Sequence, residues 1–212
     1  MLDLFISAFV TLFVVIDPPG CAPIYAGLTS AAPPRQARAM ALRACVIAAL
    51  ILLFFALFGE GLLSALHIEL NSFRIAGGIM LFFIAIDMVF EKRTERREKR
   101  ADGLKGTPEI EDVSVFPMAM PMIAGPGSIA TIMLLMARAD GTEQTLVILG
   151  ALLAVILLTF AALAAAGPLM KLLGAGAEAV ITRLLGVLLA ALAAQYVIDG
   201  VKVVLGASTS SG

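Results

Sequence analysis

The 212-residue sequence has no tryptophan, a single histidine and two cysteines, and only 15% of its residues are charged. The one histidine, His67, falls in a short external loop, which gives little support to metal ligation or catalytic pairing. Cys21 and Cys45 lie in separate apolar stretches without C-x-x-C spacing, which reads as two free buried thiols. Neither G-x-x-x-x-G-K-[ST] nor H-E-x-x-H occurs, so the chain has no loop to cradle nucleotide phosphates and no zinc-peptidase helix. With 15 Lys and Arg against 16 Asp and Glu, there is no basic field for a nucleic-acid backbone and few aromatics to stack on bases.

Apolar residues are in surplus: 60% of the chain, with a mean hydropathy of +1.01. Ordinary soluble domains are about half apolar and about a quarter charged. So much apolar surface cannot be hidden in one water-soluble core, which excludes a soluble enzyme. A bilayer core of about 30 Å takes roughly 20 apolar residues per helix, and the chain divides into six such stretches. They run from Leu4 to Thr29, Met40 to Phe58, Phe73 to Phe90, Val113 to Ala137, Thr145 to Ala166 and Ile181 to Leu205. The first has no basic leader and no small-residue cleavage site, and it contains Asp17 and prolines, so it reads as a retained span rather than a signal peptide.

Lys and Arg near span ends set orientation. Arg35, Arg38 and Arg43 follow span 1, seven basic residues follow span 3, and Lys171 follows span 5, whereas the other side has Arg138 and Lys202. The expectation is a long cytoplasmic loop over 91–112 and both termini outside. Seven acidic residues balance the seven basic ones in that loop, which argues against a lipid-binding basic patch and for a solvated helical extension with a Gly/Pro linker.

The two halves resemble each other. Pro19-Gly20 matches Pro126-Gly127, Gly59 matches Gly167, and Arg74 with Gly77 matches Arg183 with Gly186, at offsets of 107, 108 and 109 residues. Three spans per copy is an odd number, so the second copy enters the bilayer from the opposite side and the repeats are inverted. That is an architecture of secondary transporters, whose sites lie near the midplane. The expected organisation is a first repeat over 1–90, the charged loop over 91–112, a second repeat over 113–206 and a flexible tail over 207–212.

Pro18-Pro19-Gly20 and Gly125-Pro126-Gly127 should each break a span, because proline removes a backbone donor and clashes with the preceding turn. Non-helical backbone at membrane depth is tolerated only where protein buries it or a cavity adjoins it. A half-helix restarting after such a break presents unpaired N–H groups to an anion. Asp17, about a dozen residues into span 1, is open to three uses: holding the ammonium of a zwitterion, capping the half-helix that begins at Pro18, or relaying protons. Ala124 stands at the matching position of the second copy. Ser128 and Thr131 on the turns after the second break, and Gln195 in span 6, are candidates to line the cavity, with Pro18, Gly20, Gly125 and Gly127 shaping it. Arg74 and Arg183 either snorkel to the interface or form a gate or ion pair, and Asp87 and Asp199 read as interfacial.

The stretch Asp17-Pro18-Pro19-Gly20 with Pro23, the stretch Pro121 to Ile129, Arg183-Leu184-Leu185-Gly186, and Gln195 with Ile198-Asp199-Gly200 resemble the MarC family of bacterial and archaeal inner-membrane proteins over nearly the whole chain. Within the family's Asp-Pro-X-Gly, the third residue here, Pro19, differs from that of many relatives. The family is grouped with the LysE-type exporters, so the resemblance implies a multi-pass inner-membrane protein that moves small neutral amino acids such as glycine and alanine. The expectation is an all-α polytopic protein with spans 1 and 4 broken at their Pro-Gly motifs, working as a carrier by alternating access. A passive channel is the runner-up, and an intramembrane enzyme is less favoured because no catalytic pair is evident. Partners are the lipid bilayer and a small solute, with a homo-oligomer left open. No cofactor, metal or catalytic residue is called for.

Overall fold

A computed structural model describes residues 1–90 and 112–209, with side chains described over 1–90, 112–168 and 180–205. The charged loop, apart from Asp112, and the last three residues of the tail lie outside the described residues. Helices occupy almost everything described: α1 (Leu2–Ile16), α2 (Pro18–Leu28), α3 (Pro34–Ala65), α4 (Leu70–Val89), α5 (Ser114–Ile123), α6 (Pro126–Met136), α7 (Gly141–Ala164) and α8 (Ala166–Thr209). Among the described residues there is no strand. Among the described residues five helical stretches are long and apolar enough to cross a bilayer, and the count is six where the bent pair α5–α6 is taken as one span.

Local chemistry sets the two breaks. The residue before a proline is disfavoured in the right-handed helix, and Asp tolerates the left-handed region better than most residues. Asp17 accordingly ends α1 with φ 59° and ψ 64°, and α2 starts at once with Pro18 and Pro19, positions where a missing N–H costs nothing. Residues Leu2–Leu28 still form one span of 27 residues. The second broken span is rougher. Pro117 and Pro121, each after a cis peptide bond, interrupt α5, where Met118 N–H and Ala124 N–H reach back five residues to the Val113 and Ala119 carbonyls. A 52° bend then separates α5 from α6.

Helix α3 shows how the bundle closes. Ala41, Ala44, Cys45, Ala48, Leu52, Ala56 and Gly59 fall at helical spacing on its buried face, a stripe of mostly small residues that lets neighbouring backbones come close. Leu50, Phe54, Leu57 and Phe58 on its other side are exposed, as expected of a surface that faces lipid tails. The same division runs along α7 and α8, where Leu153, Leu157, Leu184 and Leu188 are exposed.

The packing exchanges partners between the halves. Helix α3 lies against α5 and α6, α7 lies against α1 and α2, and α4 pairs along its length with α8. The α4–α8 contact is antiparallel and close: a Cβ on Gly78 would meet the Ala193 carbonyl at 2.9 Å, one on Gly200 the Asn71 carbonyl at 3.1 Å, and one on Gly186 the Met88 Cβ at 2.9 Å. One apolar cluster joins α1, α2, α3, α5, α6 and α7; a second joins the end of α1 to α4, α6 and α8.

Several boundaries differ from the sequence expectation. Helix α3 extends beyond Met40–Phe58 into its polar flanks, because apolar composition marks the part that fits the bilayer and not where the helix stops. The stretch holding Lys171, expected as a connection, is helical backbone continuous with span 6, and helix runs to Thr209 through the start of the expected tail. Gly59 and Gly167 do not occupy matching environments. A Cβ on Gly59 would strike Met133 Cγ at 2.7 Å, whereas Gly167 is exposed with open space around it.

Candidate functional site

At the first break the Asp17 carboxylate is 1% exposed, and its Oδ1 accepts the Gly20 N–H at 3.1 Å, the arrangement of a helix N-cap. Gly20 is required there: a Cβ would lie 2.2 Å from Asp17 Oδ2. The Cys21 thiol donates to the Ile16 carbonyl at 3.5 Å, using an acceptor that the break released from the helix ladder. Of the uses open to Asp17, capping is thus directly visible. Both cysteines are buried, and neither is in a disulfide.

The second break has no such cap. Gly125 is extended, with φ −81° and ψ 171°, and no side chain bonds to the N-terminus of α6. The first bond of that helix runs from Ile129 N–H to the Gly125 carbonyl at 3.0 Å. Among the described residues, the Gly127 and Ser128 N–H groups have no acceptor, although both residues are buried. The Pro121 carbonyl passes so close that a Cβ on Gly125 would lie 2.4 Å from it. Thr131 is completely buried and its hydroxyl has no partner. Thr29 and Thr159, by contrast, each donate to the carbonyl four residues back at 2.7 Å.

The two breaks adjoin. The space where Gly127 would carry a Cβ is bounded by Ile84 Cδ1 at 2.5 Å, Leu81 Cδ2 at 3.5 Å and Val15 Cγ1 at 3.5 Å, and Val15 stands two residues before Asp17. Pro18, Gly20, Gly125, Gly127, Ser128 and Thr131 are all buried, as is Asp17, and Gly127 of the second break lies beside Val15, just ahead of the first. Gln195 is not part of this group. It is exposed and donates to Asp199 Oδ1 at 2.6 Å.

That hydrogen bond belongs to a polar cluster at one end of the bundle which sequence reasoning did not assemble. Arg138, just past the end of α6, meets Asp199 Oδ2 at 2.9 Å and stands over the Tyr196 ring at 4.8 Å from its centroid. Arg74 enters half-buried at this end with its Nε enclosed and unbonded, while Arg183 lies exposed toward the opposite end of the α4–α8 pair. At that opposite end Arg43 of α3 contacts Asp112 Oδ2 at 2.5 Å, where the second broken span begins. The Ser114 hydroxyl bonds to Asp112 Oδ1 and holds its carboxyl below the ordinary carboxylate range; burial opposes this, and the Ser114 N–H and Arg43 assist it. A cavity of about 520 Å³ opens at the end of α2, lined by Tyr25, Thr29, Ser30, Arg38, Leu163 and Gly167 among others. The Tyr25 hydroxyl reaches across it to the Ala37 carbonyl. Among the described residues no cluster of side chains could hold a metal ion.

The chain matches the MarC family integral membrane proteins over residues 2–205. It belongs to the MarC family. Among its relatives, the UPF0056 membrane protein YvbG of Bacillus subtilis is 34% identical over 202 residues, covering 95% of this chain and 96% of the relative. The UPF0056 inner membrane protein YhgN of Escherichia coli is 34% identical over 197 residues, covering 93% and 95%. A UPF0056 membrane protein of Archaeoglobus fulgidus is 34% identical over 201 residues, covering 94% and 92%. No solved structure matches. This MarC family member is thus an integral, multi-pass membrane protein, helical with no strand among the described residues, whose second proline-glycine break lies against the end of α1 inside the bundle.

Proposed function

We propose that this MarC family protein is a secondary carrier of small neutral amino acids, such as glycine and alanine, in the cytoplasmic membrane. The observation that carries the reading is the meeting of two interrupted spans in the buried interior, with Gly127 of one against Val15 of the other. Broken backbone at membrane depth is kept where it serves a site, and paired broken helices of this kind hold substrate in many carriers. In this reading a zwitterion binds between the breaks, and the buried Asp17 carboxylate supplies the charge that its ammonium seeks. An inverted repeat fits the exchange of partners: α3 on the second broken span, α7 on the first, and α4 on α8. Alternating access would then be a rocking of one set of helices against the other, with Arg138–Asp199 and Arg43–Asp112 tying the two ends of the second broken span. The inner-membrane placement draws support from the printed name of the E. coli relative. Both termini face outward in this reading, so a cysteine at Gln36 reacts with an impermeant reagent only from the cytoplasmic side.

The test is uptake of labelled glycine and alanine into liposomes holding the purified protein, with and without unlabelled amino acid inside. Saturable uptake accelerated by preloading is the expected result. Linear flux without acceleration would replace the carrier with a channel, and no flux under any ion gradient would remove amino acids as the cargo.

A further inference from the structure

We infer that the N-terminus of α6 is a carboxylate site that the ligand completes, taking the place on α6 that the Asp17 side chain holds on α2. The inference rests on the carrier reading above and names the part of the substrate that this end of the site recognises. Two helices of equal length, 11 residues each, restart after a proline-glycine break. Both have proline in the first turn, so both begin with few N–H donors to satisfy. On α2 the Asp17 carboxylate takes the Gly20 N–H. On α6 the cap position is held by Gly125, which has no side chain able to do so, and the residue before it, Ala124, has none either. The Gly127 and Ser128 N–H groups are left without acceptors inside a bundle where water does not compete, a position that costs free energy until an acceptor arrives.

Thr131 points independently to a ligand. Its hydroxyl is completely buried and unpartnered, and it does not take the helix carbonyl that Thr29 and Thr159 take. Side chains on a helix lean toward its N-terminus, so this hydroxyl leans over the turn that begins at Gly127. Gly127 and Ser128 N–H with the Thr131 O–H form a set of donors with the positive end of a helix dipole behind it, and no protein anion in place. A monocarboxylate satisfies such a set. The end of α2 does not compete for it, because its own carboxylate is already there. Ile84 Cδ1 and the Pro121 carbonyl crowd the two glycines, so the ligand enters when α4 or α5 draws back.

The experiment measures equilibrium binding to the purified full-length protein by thermal shift and calorimetry, using alanine, alaninamide, which lacks the carboxylate, and acetate, which lacks the amine. Alanine is expected to bind and alaninamide to bind at least about tenfold more weakly, the scale of losing hydrogen bonds to a charged group. Thr131→Val, which keeps the shape, should weaken alanine about fivefold or more without lowering the melting temperature. If Thr131→Val fails to fold, the comparison of alanine with alaninamide on the unchanged protein decides. Equal binding of alanine and alaninamide, or full affinity in Thr131→Val, would overturn the inference and leave the carrier reading standing. Acetate binding that needs Thr131, with no binding of alanine, would keep the carboxylate site and discard amino acids as cargo. Failure of both alanine and acetate to bind overturns the inference.

Discussion

The two broken spans solve one problem in opposite ways. The first interrupts its helix at a single left-handed residue and supplies its own acceptor, so Asp17 and Gly20 close the gap and the span continues as one unit of 27 residues. The second uses extended and wide-turned backbone around Pro117, Pro121 and Gly125, bends by 52° and leaves its restarted helix uncapped. A break closed by its own side chain is complete as it stands. A break left open is finished only by something that is not part of the chain, which is why the second one carries the ligand argument.

The sharpest way to break this comparison is at Asp17. Asp17→Asn retains a good cap, since asparagine and aspartate cap about equally well, so stability should change by only a few tenths of a kcal/mol while counterflow of alanine falls at least about tenfold. Asp17→Ala should lose the cap as well, lowering stability by about 1–2 kcal/mol in thermal or denaturant unfolding. Normal transport by the Asn variant would confine Asp17 to capping. Gly20→Ala comes next. Its Cβ collides with the Asp17 carboxylate, and a cost of about 1–3 kcal/mol is expected, whereas Gly27→Ala, with open space around it, should stabilise by about 0.5–1 kcal/mol.

The ties at the ends of the second span give smaller effects. A double-mutant cycle on Arg138→Gln and Asp199→Asn should return a coupling of about 0.2–1 kcal/mol, because both side chains are partly exposed. The same variants should also raise the reactivity of a cysteine placed at Ala137. Smallest of all is the pH response at Asp112. Its carboxyl is depressed in the folded protein, so its contribution to stability is fully present above the ordinary carboxylate value and disappears as pH falls through the depressed one. Unfolding followed from pH 7 down to about pH 5 should therefore be the same for wild type and for Asp112→Asn in slope, with divergence only below about pH 4.

The six spans, both breaks and the burial of the two thiols could be read from the sequence, since all of them follow from composition and from what proline and glycine do to a backbone. The roughness of α5 left a weaker trace: Pro117 and Pro121 lie four residues apart inside an apolar run, but whether such a pair bends, widens or ends a helix depends on what packs around it. The Arg138–Asp199 pair could not be read at all. Its members are 61 positions apart, and each looked like an ordinary residue at the end of a span. Gln195 was misplaced because its position along span 6 suggests depth, whereas its side chain is exposed and bonds to Asp199 one turn further along the same helix. The role of Thr131 required knowing that its hydroxyl goes unanswered, which only the packed bundle reveals.

The pairing of α4 with α8 has a consequence for how the protein is made. Translation delivers Gly78 of α4 more than a hundred residues before Ala193 of α8, against which it packs, and that glycine-lined face has no lasting partner in the first half of the chain. Until the ribosome has released α8, that face must rest against lipid or against the insertion machinery. The nascent protein thus remains open along one seam through most of its synthesis, and it closes only when the last helix arrives.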